Sequence, residues 1–178
     1  MKRMGKGLVQ VYTGDGKGKT TAAVGLALRM SGAGGRVLFV QFFKKQESSE
    51  IGLLRCLAPS VRIISLCREY PLFRKPTRAE GEKIRQRLAR SLVRVGRLLD
   101  GDYDLVVLDE ILIGLRDGLL EEKQMEKTCR GRAPGVEIVL TGRGATPGIV
   151  TMADLVTRME MVKHPFDQGV GARKGIEY

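Results

Sequence analysis

The chain has 178 residues, 43% of them hydrophobic and 29% charged, the balance of an ordinary globular protein with length for one packed core over residues 1–178. No stretch approaches the roughly 20 apolar residues of a membrane span, and the opening Met1-Lys-Arg-Met4 lacks a signal's apolar core, so a cytoplasmic setting is expected. The net charge of +11 would suit nucleic acid or polyphosphate ligands, but the lack of tryptophan and the 5% aromatic content leave few platforms for stacked bases and argue against nucleic acid.

Leu8 to Thr21 is a strand, a glycine-rich loop and a helix start. Val9 and Val11 belong to the strand, Gly14, Gly16 and Gly18 to the loop, and Lys19, Thr20 and Thr21 open an Ala-rich helical segment. Such a loop turns backbone N–H groups inward around an anion, and the helix N-terminus adds its positive dipole end. Thr13, Gly14, Asp15, Gly16, Lys17, Gly18, Lys19, Thr20 and Thr21 are therefore the expected phosphate-binding set. Lys19 would reach terminal phosphate oxygens, and the Thr20 hydroxyl would ligate Mg²⁺. The usual pattern carries glycine where this chain has Thr13. The plainer alternative is a Gly/Lys-rich surface turn.

Thr21 to Met30 is apolar nearly all round and reads as a helix buried against a sheet. Arg36 to Phe43 is a run rich in β-branched and aromatic residues without alternation, which points to a parallel strand covered on both faces. A polar loop at Lys44 to Ser49 and a short helix over Ile51 to Leu57 follow. Val61 to Leu66 is a third strand, and residues 67–76, with two prolines, should be irregular. Thr77 to Glu80 is a capping box. It opens a long helix with Ile84, Leu88, Leu92, Val95 and Leu99 on one face and a solvated basic face elsewhere; Gly101 should break it. Leu105 to Leu108 is a fourth strand, Glu121 to Cys129 a polar helix, Val136 to Leu140 a fifth strand and Pro147 to Ala153 a short helix. Leu155 to Val162 alternates like an edge strand, and the glycine-rich tail shows no period. Strands alternating with helices predict an α/β fold of the three-layer, RecA-like phosphate-loop kind, with a mostly parallel sheet of about six strands. Ligands in such folds bind at the carboxyl ends of the strands.

Asp109 and Glu110 end the fourth strand there. Paired with a phosphate loop, such a carboxylate holds Mg²⁺ directly or through water; the alternative is a carboxylate pair meeting a helix dipole. Arg143, past the fifth strand, could fork onto a phosphate and act in catalysis, or cap a carbonyl or pair with Asp154. His164 is the lone histidine, more often a structural residue than a catalytic one. Cys56, Cys67 and Cys129 form no Cys-x-x-Cys pair, so a Cys/His zinc site is not indicated. No Ser-His-Asp order and no evident general base stands out, which favours a nucleophile that needs no activation by the protein.

Tyr12-Thr-Gly-Asp-Gly-Lys-Gly-Lys-Thr-Thr21, Val40-Gln-Phe42, Val107-Leu-Asp-Glu110, Leu140-Thr-Gly-Arg-Gly144, Ala153-Asp154, Met161-Val-Lys-His-Pro165 and Gly175-Ile-Glu-Tyr178 occur in one order across the chain. Together they resemble the phosphate-loop ATP:corrinoid adenosyltransferases, in which the loop also begins with Thr. The resemblance implies transfer of the 5′-deoxyadenosyl group of ATP to Co(I) of a reduced corrinoid, with triphosphate leaving from a nucleotide that lies reversed relative to other phosphate-loop enzymes. It also implies Mg²⁺, a homodimer, and a reductase or flavoprotein as electron donor. Family members place a Phe-x-Trp arrangement beneath the corrinoid after the third strand. Here the stretch reads Cys67-Arg-Glu-Tyr-Pro-Leu-Phe73, which makes Tyr70 and Phe73 the candidate corrinoid contacts. Ala172-Arg173 stands where Ala-Gln is usual, and the seven residues before the first strand leave no expected N-terminal lid. The competing readings are a kinase or ATPase acting at the γ-phosphate, and a basic nucleic-acid-binding ATPase.

Overall fold

The computed structural model describes residues 5–44, 48–68, 70, 71, 74, 76–100 and 102–177. Six strands form one sheet: β1 (Val9–Thr13), β2 (Val37–Phe42), β3 (Val61–Leu66), β4 (Leu105–Asp109), β5 (Glu137–Thr141) and β6 (Leu155–Arg158). Their order across the sheet is β3-β2-β4-β5-β1-β6, and each neighbouring pair runs parallel. The helices are α1 (Lys19–Gly32), α2 (Ser49–Arg55), α3 (Arg78–Leu98), α4 (Leu112–Arg116), α5 (Glu122–Arg130) and α6 (Pro147–Met152).

The continuous apolar runs hide a period of two. Leu38, Val40, Val106, Leu108, Ile138 and Leu140 face one way and pack with Leu88, Leu92 and Val95 of α3 and Met125 of α5. Val37, Phe39, Leu105, Val107 and Val139 face the other way and meet Ala23 and Ala27 of α1 and Ile51 and Leu54 of α2. Both faces of the central strands are therefore covered, as parallel pairing with crossover helices requires. In α3 the Thr77 hydroxyl accepts from the Glu80 N–H and the Glu80 carboxylate accepts from the Thr77 N–H, at 3.3 and 2.8 Å. The predicted core face of this helix is buried, and Lys83, Arg85, Arg87, Arg90, Arg94 and Arg97 are exposed.

Three expectations need correction. Helix α1 is not buried all round: among its apolar residues only Ala23 and Ala27 are fully covered, and Leu28 is 40% exposed. Alanine lets a helix approach the sheet closely along a narrow stripe, and the remaining faces turn outward. Strand β6 takes the sheet edge but stops at Arg158 instead of Val162. Met159 still donates its N–H to Thr13, but its carbonyl accepts from Gly16 N–H at 2.8 Å, so the chain leaves the ladder there to cross the phosphate loop. Helix α4 has no counterpart in the sequence reading, because its five residues, Leu112 to Arg116, are too few to show a helical period. Gly101, Phe73 and Tyr178 lie outside the described residues, as does part of the loop at Lys44 to Ser49.

Leu88 lies at the centre of the α3 face with none of its surface exposed. Leu88→Ala should destabilise the protein by about 2–5 kcal/mol, the range for deleting a buried leucine, read as a lower denaturant midpoint with an unchanged slope. A loss below about 1 kcal/mol would mean that α3 does not pack as described.

Candidate functional site

The carboxyl ends of the parallel strands share one backbone feature. The residue after each of the first five strands has positive φ: Gly14 (101°), Phe43 (61°), Cys67 (53°), Glu110 (65°) and Gly142 (137°). Three of these are not glycine, and a side chain at positive φ is held only where the surroundings impose it. The chain is thus bent out of the sheet plane at the same rim on five strands, and the polar residues collect there.

A cavity of about 500 Å³ opens on this rim. The phosphate loop forms one wall with residues 15–19 and continues into Thr20 and Thr21 of α1. Lys44, Ser48, Ser49 and Glu50 line it from the region after β2, Glu110 from β4, Arg143 from β5, and His164, Gly175, Ile176 and Glu177 from the tail. Lys19, 8% exposed, donates its ammonium protons to the carbonyl oxygens of Gly14 and Gly16. Burial lowers its pKa, opposed by the charge of Glu110 and reinforced by that of Arg143.

Asp109 has no exposed surface and is held by three donors. Its Oδ1 accepts from the hydroxyls of Thr20 at 2.8 Å and Thr141 at 2.7 Å, and its Oδ2 pairs with the Lys44 ammonium at 3.0 Å. Strand β5 lies between β4 and β1, so Thr141 bridges the gap between the carboxylate strand and the phosphate-loop strand. Thr141 Oγ1 also accepts the Glu110 N–H at 2.9 Å, which fixes the backbone of Glu110 in its left-handed conformation.

Asp15, Gly16, Lys17, Gly18, Lys19, Thr20, Thr21, Glu110 and Arg143 come together around the cavity. Asp154 accepts the Val9 N–H at 2.8 Å, and Arg143 stands at the cavity instead of pairing with it. Thr13 does not line the cavity: its hydroxyl accepts the Ala145 N–H at 3.2 Å and ties β1 to the loop after β5. Gly14, like Thr13, does not line the cavity, whereas Gly16 does; both glycines allow a close approach of the chain's own backbone. A Cβ on Gly14 would lie 2.3 Å from the Met159 carbonyl oxygen, and one on Gly16 would lie 2.6 Å from that of Glu160.

Tyr70 is also placed elsewhere. It is 4% exposed, its ring lies 4.9 Å from that of Phe43, and its hydroxyl is bonded to Asp117. Burial first, and then Asp117, push the phenol up to about 12. In this arrangement Tyr70 has no open face for a ligand; an apolar environment and a carboxylate partner for the phenol draw the ring inward. Lys44, Ser48, Glu50, Thr141 and Glu177 are cavity or carboxylate contacts that the sequence reading does not single out. The rule that ligands gather at strand ends could have raised Lys44 and Thr141, and Glu177 falls in the Gly175-Ile-Glu-Tyr178 run that carries the resemblance; no sequence signal marks Ser48 or Glu50.

A family model described as "ATP:corrinoid adenosyltransferase BtuR/CobO/CobP" matches residues 5–178. A corrinoid adenosyltransferase of Pseudomonas aeruginosa is 36% identical over 174 residues, 97% of this chain and 84% of that protein. One from Escherichia coli K12 is 33% identical over 175 residues, 97% of this chain and 86% of the relative. Among solved structures, the flagellar accessory protein FlaH of Methanocaldococcus jannaschii aligns with a TM-score of 0.56 at 15% identity, over 88% of this chain and 71% of that one, which shows a shared fold.

Burial raises the pKa of the Glu110 carboxyl, and the Asp109 charge raises it further. The folded protein therefore holds that proton more tightly than the unfolded chain. Stability from this group is present below the ordinary value of 4.5 and is lost as pH rises through the folded value. Glu110→Gln should remove the loss: without ligand, the variant should melt above wild type at neutral pH, and the gap should close in acid. A difference in melting temperature that stays constant with pH would contradict this.

Proposed function

We infer the chemistry from kinship: the chain belongs to the ATP:corrinoid adenosyltransferase family, whose model spans residues 5–178. It transfers the 5′-deoxyadenosyl group of ATP to Co(I) of a reduced corrinoid and releases triphosphate. The family match carries this reading, and the cavity agrees with it. Lys19 and Arg143 bring positive charge to that cavity, and Lys17 and Lys44 line it while ion-paired with Glu177 and Asp109, a setting that suits a polyphosphate.

In this reaction the electron pair of Co(I) forms the bond to C5′. The C5′–O5′ bond breaks, and its electrons leave on the triphosphate. The nucleophile carries no proton, so no residue has to remove one. The protein's work is to position the two substrates and to stabilise charge growing on the leaving oxygen. Lys19 waits on two neutral carbonyl oxygens, which hold its ammonium within the loop without neutralising it. Arg143 and Lys44 add positive charge from the neighbouring strands.

The oxygens of Thr20, Asp109 and Glu110 fit a hard cation, since hydroxyl and carboxylate oxygens suit Mg²⁺ better than softer metals; the Lys44 ammonium on Asp109 Oδ2 would share that carboxylate with the ion. Thr20, Asp109 and Glu110 would hold the ion, which would offset charge on the departing triphosphate. Among the described residues no group of three His, Cys, Asp or Glu could hold a metal, so substrate oxygens and water would complete its shell. The same reading includes one domain over residues 1–178, a homodimer, a reductase or flavoprotein electron donor and a cytoplasmic setting. Among the described residues no helix is long and apolar enough to cross a membrane.

Two outcomes are expected. Incubated with Mg-ATP and a Co(I) corrinoid, the protein should form triphosphate and adenosylated corrinoid in equal amounts, resolved by ion exchange and visible spectra, with little ADP. ADP formed at the same rate with and without corrinoid would place the reaction at the γ-phosphate instead. Lys19→Ala should lower turnover by at least about 100-fold, the scale of one preorganised charge contact, with an unchanged circular dichroism spectrum. Near-normal turnover in the folded variant would remove Lys19 from the mechanism.

A further inference from the structure

Lys17 and Lys19 stand two residues apart in the phosphate loop and are held in different ways. Lys19 donates to carbonyl oxygens of the loop itself. Lys17 pairs with Glu177 of the tail at 3.1 Å, and the two side chains remain 49% and 24% exposed. Lys17 and Glu177 both line the cavity, so a carboxylate of the protein's own tail occupies a cation of the anion site. The tail hangs on this contact. Residues 167–177 are all exposed. Among the described residues, the hydrogen bonds and ion pairs of residues 165–177 stay within the stretch from His164 onward, apart from the pair with Lys17. Glu177 has a second hold inside the tail. Its carboxylate accepts from the Arg173 N–H at 2.7 Å and from the Arg173 guanidinium at 3.1 Å, and its own N–H donates to the Arg173 carbonyl at 2.9 Å. The carboxylate is thus presented to Lys17 by a turn whose closing bonds do not involve Lys17.

We propose that Glu177 competes with the polyphosphate for Lys17: this ion pair fastens the tail across the phosphate loop, the tail lifts when a polyphosphate takes the lysine, and it returns as triphosphate leaves. This rests on the cavity holding a polyphosphate, as argued above. An ion pair so exposed contributes little, and a polyphosphate sets several negative charges against one. The exchange strands no charge. Lys17 passes from a carboxylate to a phosphate, and Glu177 keeps Arg173. A carboxylate left beside the bound polyanion meets like charge, which drives the tail outward. Glu177 touches no reacting atom in this scheme; it sets how readily the loop takes up and gives back its anion.

Arg173 and Lys174 place two trypsin bonds in the tail, so its lifting is read by limited proteolysis and mass spectrometry. The ligand is inorganic tripolyphosphate, without corrinoid, at a concentration that saturates the site by calorimetry, against sodium chloride at equal ionic strength. In wild type, tripolyphosphate should speed cleavage at these bonds about 2- to 5-fold, the scale of losing one exposed ion pair. Lys17→Gln leaves the cleaved sequence unchanged, and its tail should be cut at the faster rate without ligand. Glu177→Gln should bind tripolyphosphate about 2- to 5-fold more tightly than wild type. A melting curve like wild type shows that each variant is folded. Protection of the wild-type tail by tripolyphosphate would overturn the proposal, since the tail would then close over the ligand, and so would an unchanged rate. A Lys17→Gln tail cut no faster than wild type would overturn it as well. Adenosyl transfer is assayed separately: a tail that lifts for tripolyphosphate in a protein that forms no adenosylated corrinoid would overturn the reaction and leave the Glu177 assignment standing.

Discussion

A carboxylate without solvent contact holds the rim of the candidate site together. Asp109 ends a central strand, and its two oxygens take donors from α1, β5 and the turn after β2. A buried charge is tolerated only when it is paired and hydrogen-bonded, and here each partner belongs to a different element. Removing any one would leave a charge short of a partner in a site closed to water, so the phosphate loop, the bridging threonine and Lys44 are fixed relative to one another by the need to satisfy one group. The same contact places the Thr20 hydroxyl and the Lys44 ammonium at the cavity before any nucleotide arrives.

The second constraint is the shape of the chain as it leaves the sheet. Five strands end in a left-handed residue, and at Phe43, Cys67 and Glu110 that conformation costs about 1–3 kcal/mol each. Packing and hydrogen bonding must offset it. The Thr141 hydroxyl does so for the Glu110 backbone, and Phe43 is buried against Tyr70. A site with strained backbone at its rim and raised carboxyl pKa at its floor concentrates unfavourable terms around the candidate cavity, the pattern that stability–function trade-offs predict for a functional site.

The third is the segment after β6. It lies so close to the phosphate loop that Gly14 and Gly16 cannot carry a side chain, and the tail beyond it ion-pairs with Lys17 through Glu177. Gly14 and Gly16 therefore answer to contact with the protein's own backbone, and Gly16 also to the cavity that it lines. Tyr70 shows the opposite displacement. Placed by the sequence where an aromatic contact to a ligand is expected, it is instead held in the core by Asp117 and the Phe43 ring.

Local chemistry was legible in the sequence by itself. The phosphate loop, the capping box at Thr77, the apolar face of α3, the parallel character of the central strands and the carboxylates at the end of β4 each show in a short run of residues, because each depends on spacing within one element. The basic face of α3 read correctly as solvated for the same reason. What only the tertiary structure decided depends on which strands become neighbours. With β5 between β4 and β1, Thr141 reaches Asp109, and Thr13 turns to Ala145 instead of the cavity. Lys44 gains its role from the rim it shares with Asp109, and Glu177 from the ion pair that brings the tail to the phosphate loop. The early end of β6 belongs with these, since a period of two continues through Val162 and only contact with the phosphate loop breaks the ladder. Such contacts join residues far apart along the chain, and no local pattern records them, because burial and pairing across the sheet arise only once the layers have closed.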